Sequence, residues 1–223
     1  MGTVLGFRIA VVLATDWVTI SSLATAGGTL VLAAATFASV RSANRAARAA
    51  ERSLLAGLRP LLLPSKLDDP PQKVGFADEK WVVAPPGGAV AEVGDGAIYL
   101  AIALRNVGSG IAVLHGWSFY PELQRGSSEH REPTEFTRLT RDLYVPAGDI
   151  GFWQGAFRDS GADEFAAARN AIEARSPVTV DLLYGDHEGG QRVISRFALW
   201  PRDRDGWIAA AARHWNVDRE DPR

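Results

Sequence analysis

The chain has 223 residues, 47% hydrophobic and 22% charged, a composition that excludes wholesale disorder and allows one ordinary domain with an appendage. It contains no cysteine, which excludes disulfides, zinc–thiolate sites and thiol nucleophiles. The formal net charge of −2 does not indicate a strongly basic nucleic-acid-binding domain, so we expect no nucleic-acid partner.

The charges are segregated along the chain. Residues 1–59 hold six arginines against Asp16 and Glu51, whereas residues 60–223 hold 18 basic and 24 acidic residues. A basic N-terminal part joined to an acidic body indicates two different environments. The use of 21 Arg against 3 Lys is typical of a GC-rich, bacterial genome.

The first long element is a run of 24 residues without charge, residues 17–40. A helix of this length rises about 36 Å, which is enough to cross a hydrocarbon core of about 30 Å. Trp17 lies at one end of the run, where aromatic residues mark the membrane interface. The sequence therefore predicts a transmembrane helix over residues 17–40, preceded by an N-terminal helical extension over residues 1–16.

Two other interpretations of this run stay open. Ala24-Thr25-Ala26 resembles a signal-peptidase site, which favours a cleaved signal peptide. The basic region that precedes such a site is missing, however, and the most apolar residues, 30–40, follow the supposed cut. The third interpretation is a buried helix of a soluble protein.

An arginine-rich segment follows the run, and we call its members, Arg41, Arg45, Arg48, Arg52 and Arg59, the arginine collar. Their spacings of 4, 3, 4 and 7 would place all five on one face of a juxtamembrane helix over residues 41–59. This helix should end near Leu58, because Pro60 disfavours helix at the preceding residue. The positive-inside rule predicts a single-pass protein of the cell membrane with a cytoplasmic C-terminal domain.

The collar also predicts partners. Arginines near a membrane surface attract anionic lipid headgroups by about 1 kcal/mol each, although the collar can equally serve as a topology signal alone. The Ala24-x-x-x-Gly28 pattern and an alanine-rich helical face allow close helix packing. Self-association or contact with other membrane proteins is therefore predicted besides contact with the bilayer.

From residue 61 onward the pattern changes to short strands separated by turns, which defines a domain over residues 60–223. The predicted strands are 61–63, 81–84, 97–104, 111–120, 144–145, 150–153, 178–184 and 192–200. Residues 64–75 are predicted to form a loop, and residues 185–190 a hairpin turn. The segment 97–104 is apolar throughout, so it should be a central strand.

Two short helices are predicted within this domain. Ser160 starts the capping-box pattern Ser-Gly-Ala-Asp and is expected to be the N-cap of the first. That helix should bury Phe165, Ala168 and Ile172. The second is predicted over residues 207–215, since Trp207, Ala211 and Trp215 would share a helical face.

These elements together predict a fold class. A transmembrane α-helix should be followed by a mainly antiparallel β domain with two short helices. Strands punctuated by turns every 8–12 residues favour an immunoglobulin-like sandwich, with a β-barrel as the alternative.

Four features occur together: a single N-terminal helix, an arginine-rich segment closed by Arg59-Pro60, a strand ending in Asn106-x-Gly-x-Gly-x-Ala112, and a late Tyr184-x-Asp186-x-x-Gly189 hairpin. This combination resembles uncharacterised bacterial single-pass membrane-anchored proteins with a cytoplasmic β-sandwich domain. The resemblance implies that architecture over most of the chain. It implies no activity, cofactor or site residue.

Two motifs contain residue types that can bind a nucleotide or a metal ion, but neither has the pattern that such a site requires. The Asn106–Ala112 segment lacks the third glycine and the following helix of a dinucleotide loop, so a turn is predicted. Asp186-His187-Glu188 are adjacent and cannot converge on one metal ion without further ligands, so a solvated tip is predicted.

Histidine and serine give no stronger signal. His115 lies on an apolar strand and is expected to be an interior histidine, and His130 and His214 are isolated. Ser127-Ser-Glu-His130 lacks the Gly-x-Ser-x-Gly elbow of a nucleophile. No catalytic residue, metal site or cofactor is therefore predicted.

The functional hypothesis that follows is a membrane-tethered, non-enzymatic interaction or scaffold module. One alternative is an accessory subunit of a membrane complex, which would dock through the polar, glycine-containing span. The other is an enzyme whose site is assembled from scattered residues.

Overall fold

The computed structural model describes residues 3–124, 126, 129–202 and 206–219, without the side chains of residues 3–16 and 56. Ser127 and Ser128 of the serine-containing motif lie outside these residues. The chain divides into two compact units, Met1–Ser53 and Leu54–Arg223.

The helices are α1 (Thr3–Gly57) and α2 (Asp163–Glu173), with a short 3₁₀ helix at Pro133–Glu135. The strands are β1 (Leu62–Pro64), β2 (Gln72–Gly75), β3 (Trp81–Ala84), β4 (Gly88–Val93), β5 (Ile98–Asn106), β6 (Ala112–Tyr120), β7 (Thr137–Val145), β8 (Ile150–Phe157), β9 (Val178–Gly185), β10 (Val193–Arg202) and β11 (Gly206–Asn216).

Helix α1 supplies the first unit. Among the described residues it is the one helix long and apolar enough to cross a membrane, judged by length and composition. Between residues 17 and 54 its large apolar side chains are exposed, Trp17, Leu30 and Phe37 included. The hydroxyls of Ser21, Ser22, Thr25, Thr29 and Thr36 each bond to a carbonyl of the preceding turn at 2.8–2.9 Å. These polar groups are thus satisfied inside the helix, as an apolar environment requires.

The second unit is a mainly antiparallel β domain, as predicted. Nine strands belong to one sheet in the order β1-β5-β4-β11-β10-β9-β6-β7, with β8 also paired to β5. Strands β2 and β3 form a separate two-stranded sheet. The predicted hairpin over residues 185–190 joins β9 and β10 and is confirmed.

Strand β5 is central, as its apolar sequence predicted. Leu100 and Ile102 enter the main core, which receives side chains from most strands and from α2. Tyr99 and Ala101 point the opposite way and pack in a second cluster with residues of β2 and β3. Burying a large aliphatic side chain contributes about 1.5–3 kcal/mol, so β5 stabilises the domain from both of its faces.

The predicted helix over residues 207–215 is wrong, because this segment is strand β11. It pairs with β10 along its length, with a register shift between Arg196 and Phe197. Trp207 and Trp215 are buried while Ile208 is 40% exposed. The register shift leaves Ala212 unpaired and inverts the alternation, so Trp207 packs in the main core and Trp215 in a separate cluster with Leu183 and Ile194. Pairing in the sheet outweighs the helix propensity of the alanines.

The start of α2 also differs from the prediction. Its N-cap is Ala162, without a side-chain cap, and not Ser160. A turn at Asp159 replaces the capping box: its carbonyl accepts the backbone N–H of Ala162 at 3.1 Å, and its Oδ1 accepts that of Gly161 at 3.1 Å. The predicted buried residues of this helix are confirmed.

Strand boundaries were missed where the alternation was short or polar. The predicted loop over 64–75 contains β2, which is held by the buried Val74. Strand β4 was not predicted. Strand β7 was predicted only over residues 144–145, because the rest of the strand is mostly exposed and polar and lacks an apolar pattern.

Candidate functional site at the helix end

The residues that carried the family resemblance come together at one place. The last turn of α1 and the residues that follow it, Leu55–Leu62, contact the segment 106–110, Tyr184 and the β9–β10 hairpin. We call this set the helix-end junction. It lies wholly within the unit Leu54–Arg223.

Asn106 is the centre of the junction and is fully buried. Its Oδ1 accepts the backbone N–H groups of Leu61 at 3.1 Å and Gly108 at 3.0 Å. Its Nδ2 donates to the carbonyls of Gly110 at 2.7 Å and Val145 at 2.9 Å. The amide is thus satisfied on both sides, and one side chain fixes the chain after the helix, the glycine turn and the end of β7.

The glycines of the motif allow two backbones to touch. A Cβ on Gly108 would overlap the carbonyl oxygen of Arg59, and one on Gly110 would overlap that of Leu58. The backbone N–H of Ser109 donates to Arg59 O at 3.0 Å. The predicted turn is confirmed, and its role is to receive the helix end.

Tyr184 holds the strand that leaves the helix. Its hydroxyl accepts the backbone N–H of Leu62 at 3.1 Å and shares a hydrogen bond with Ser195 Oγ at 2.7 Å. Ser195 Oγ in turn lies 2.6 Å from His214 Nδ1. Burial raises the pKa of Tyr184 to about 12, since an ionised phenolate would lose its hydration.

The pair of Ser195 and His214 has nucleophile–base chemistry that the sequence did not reveal, because 19 residues separate its members. Ser195 is 0% exposed and its oxygen is bonded to both Tyr184 and His214. A substrate carbonyl has no route to that oxygen in this structure. The pair therefore orders the sheet behind the junction.

Asp186 and Gln191 complete the junction from the hairpin. Asp186 Oδ1 accepts the backbone N–H of Gly190 at 2.9 Å, and its Oδ2 accepts Gln191 Nε2 at 3.2 Å. Gln191 Nε2 also donates to the carbonyl of Leu55, one of the last carbonyls of α1. The predicted solvated tip is therefore wrong for Asp186, which is 2% exposed, and right for His187 and Glu188.

The arginine collar is split by the structure. Arg41, Arg45, Arg48 and Arg52 are exposed on α1. Arg59 lies two residues past the end of the helix, and its Nη2 donates to Asn216 Oδ1 at 2.5 Å. The prediction that all five share one helical face is wrong for Arg59, because the helix ends at Gly57, one residue before the predicted Leu58. Nothing in the fold bears on lipid contact by the other four.

The remaining histidines occupy different settings. His115 is exposed, which contradicts its predicted interior place, because a bulge turns it out of β6. His130 Nδ1 donates to the carbonyl oxygen of Arg131, 2.8 Å away, and the imidazole packs edge-on against Trp215. Within the described ranges, no three His, Asp or Glu side chains are grouped to hold a metal ion.

A buried ion pair lies on the sheet away from the junction. Arg196 donates to both oxygens of Asp181 at 2.8 and 2.7 Å, and both side chains are at most 3% exposed. The rings of Tyr120 and Trp215 lie 5.4 and 4.8 Å from the guanidinium carbon. Cross-strand register explains the pair, since Arg196 stands opposite Asp181.

Comparisons of the chain with protein families, curated proteins and solved structures find no match.

Proposed function

We propose that the chain is a membrane-tethered, non-enzymatic interaction or scaffold module, in which the helix-end junction fixes the first residues of the β domain, Leu55–Leu62, to the rest of that domain. The observation that carries this proposal is the convergence of Asn106, Tyr184 and Gln191 on the chain between Leu55 and Leu62. Buried side chains and closely packed glycines around Leu55–Leu62 make this segment a fixed part of the β domain. A module that offers a partner a rigid surface requires such a fixed segment.

The same proposal places the protein in the cell membrane with the β domain in the cytoplasm. Helix α1 supplies a candidate span, and four collar arginines lie exposed on the same helix after its charge-free run, residues 17–40. Their excess over the basic charge on the other flank supports a cytoplasmic C-terminal domain. The alternatives, an accessory subunit or an enzyme, stay predictions.

Within this proposal the β domain is a half-barrel rather than an immunoglobulin-like sandwich. The nine strands form one continuous sheet rather than two. Their inward side chains, from Leu62 to Ala209, share a single core. One sheet around one core supports the barrel alternative.

The proposal is tested by comparing three tagged chains expressed in cells: the full chain, the junction variant Gly110→Val, and residues 1–59 alone. After mild detergent extraction we expect a stoichiometric partner with the full chain and less of it with Gly110→Val, although both chains stay in the membrane fraction. Gly190→Ala is the matched control, since its Cβ would meet nothing closer than 3.8 Å.

Two results would reject the scaffold role. One is a full chain that retains no stoichiometric partner. The other is a partner retained equally by residues 1–59, which would identify the span as the docking surface and favour the accessory-subunit alternative.

A further inference from the structure

An open cleft of about 610 Å³ lies beside the β9–β10 hairpin. Its lining includes His115 from β6, Arg138 from β7 and Arg192, which precedes β10. No aspartate or glutamate is among the described residues that line it. Residues 60–223 contain more acidic than basic residues, whereas the titratable residues in the lining of this cleft are all basic.

A bulge in β6 builds one wall of the cleft. The register of β6 shifts between Leu114 and Gly116 against both β7 and β9, so His115 is the extra residue and projects outward. A Cβ on Gly116 would lie 3.1 Å from Phe136 Cβ, and one on Gly185 would lie 3.1 Å from His115 Nε2. The two glycines therefore allow β6 to lie close to Phe136 and to the end of β9. Bulges commonly redirect a side chain next to a functional site.

The cationic groups retain capacity to donate. Arg192 is oriented by Asp218, which accepts its Nε at 3.1 Å and its Nη2 at 2.6 Å. Within the described part of the chain, no side-chain hydrogen bond uses Arg192 Nη1 or the guanidinium nitrogens of Arg138. Arg138 is exposed, and no described carboxylate lies within ion-pair distance of it.

The pKa of His115 depends on the burial of its imidazole and on the charges around the cleft. Partial loss of hydration lowers the pKa of His115, and the positive charge of Arg192 lowers it further. Asp142 and Asp186 act in the opposite direction and are outweighed. An anion bound beside His115 would add negative charge and shift its pKa upward.

We propose that this cleft binds a phosphate monoester, with Arg138 and Arg192 donating to the phosphoryl oxygens and His115 taking up a proton as the ligand binds. The charge of Arg192 is already paired with Asp218, so Arg138 and a protonated His115 supply the two positive charges that match a phosphoryl dianion, and Arg192 adds a donor through its Nη1. Phe136 and Leu183, also in the lining, provide apolar contact for the esterified group. The cleft shares the β9–β10 hairpin with the helix-end junction, but it uses different side chains and its ligand does not depend on the scaffold role.

The ligand can come from two sources, a lipid headgroup or a dissolved compound, and the experiment separates them. The full chain is reconstituted in phosphatidylcholine nanodiscs. One arm titrates it with phenyl phosphate, and the other uses nanodiscs that also contain phosphatidate. Binding is followed by calorimetry in the first arm and by the nuclear magnetic resonance titration of labelled histidine in both. The His115→Asn variant identifies the His115 signal among the four histidines.

We expect the His115 pKa to rise in at least one arm and Arg138→Gln to weaken binding about tenfold, as loss of a charge-assisted hydrogen bond does. Arg169→Gln is the control, because it removes the same charge from an exposed ion pair on α2. A response to phenyl phosphate assigns a dissolved ligand, and a response to phosphatidate alone assigns a headgroup. An unmoved His115 pKa in both arms, or equal weakening by Arg138→Gln and Arg169→Gln, would overturn the proposal. If Arg138→Gln does not fold, Arg138→Lys is used instead. Lysine keeps the positive charge but lacks the paired N–H donors of the guanidinium group, so it should also weaken binding more than Arg169→Gln does.

Discussion

The side-chain oxygen of Asn106 accepts the backbone N–H of Leu61 at 3.1 Å, across 45 residues of sequence. This bond ties the first strand after the helix to the end of the central strand β5. Because the same side chain also bonds Gly108, Gly110 and Val145, its loss would leave several groups around a buried position without partners.

Asn106→Ala is therefore expected to lower the free energy of unfolding by about 2–4 kcal/mol, since each buried group left unpaired costs about 1–3 kcal/mol. Urea unfolding of the chain in detergent, followed by tryptophan fluorescence, measures this. Asn44→Ala, on the exposed surface of α1, is the matched control and should change little. Equal effects of the two substitutions would contradict the central place of Asn106.

Tyr184 predicts a loss of stability at alkaline pH. Its pKa is about 12 in the folded protein and about 10 in an unfolded chain. A raised pKa of the folded state means that its contribution is complete below pH 10 and is lost as the pH rises through 12, up to about 3 kcal/mol. Tyr184→Phe should be less stable at pH 8, because Leu62 N–H loses its acceptor, and should lose less between pH 10 and 12. If the free energy of unfolding falls equally between pH 10 and 12 in the unsubstituted chain and in Tyr184→Phe, Tyr184 is not the group responsible.

The elements that the sequence predicted best are those with redundant signals. The charge-free run, the apolar strand at Ile102 and the hairpin after Tyr184 each combine length, composition and turn residues. The segment at Trp207 was misassigned because its alanines and the spacing of its apolar residues fit a short helix, and only pairing with β10, bulge included, makes it a strand. The junction could be located only in part: its motif residues were visible, but their meeting depends on contacts between residues as far apart as Leu55 and Gln191.

Removing one member of the buried pair of Arg196 and Asp181 should lower the free energy of unfolding strongly, whereas replacing both by apolar residues should lower it much less. Asp181→Asn leaves a buried guanidinium without a counter-charge and is expected to cost about 3–5 kcal/mol. Replacing both residues, as in Asp181→Leu with Arg196→Met, should cost much less than the two single changes added. A double-mutant cycle by urea unfolding measures the coupling. The exposed pair of Arg169 and Glu173 is the control and should couple by about 0.5 kcal/mol or less.

The split of the arginine collar gives a lipid-binding prediction. Replacing Arg41, Arg45, Arg48 or Arg52 by Gln should each reduce the association of spin-labelled phosphatidylserine with the reconstituted chain. The reduction should fade at high salt, where the screening length is about 3 Å. Arg59→Gln should leave lipid association unchanged, because its guanidinium is bonded to Asn216, and should lower stability instead. If Arg59→Gln reduces lipid association as much as the other substitutions do, all five arginines contact lipid and the split of the collar is refuted. If no substitution reduces lipid association, the collar is a topology signal only.

The bond between Arg59 and Asn216 joins the start of the β domain to its last strand. Helix α1 is synthesised before the groups that bond to its end and to the residues after it, since Gln191 follows Leu55 by 136 residues and Asn216 follows Arg59 by 157. The junction can therefore be completed only after β9, β10 and β11 have left the ribosome. Folding of this chain is thus ordered by its connectivity, helix first and junction last, and a nascent chain arrested before β11 should expose Leu55 and Leu62 to chaperones.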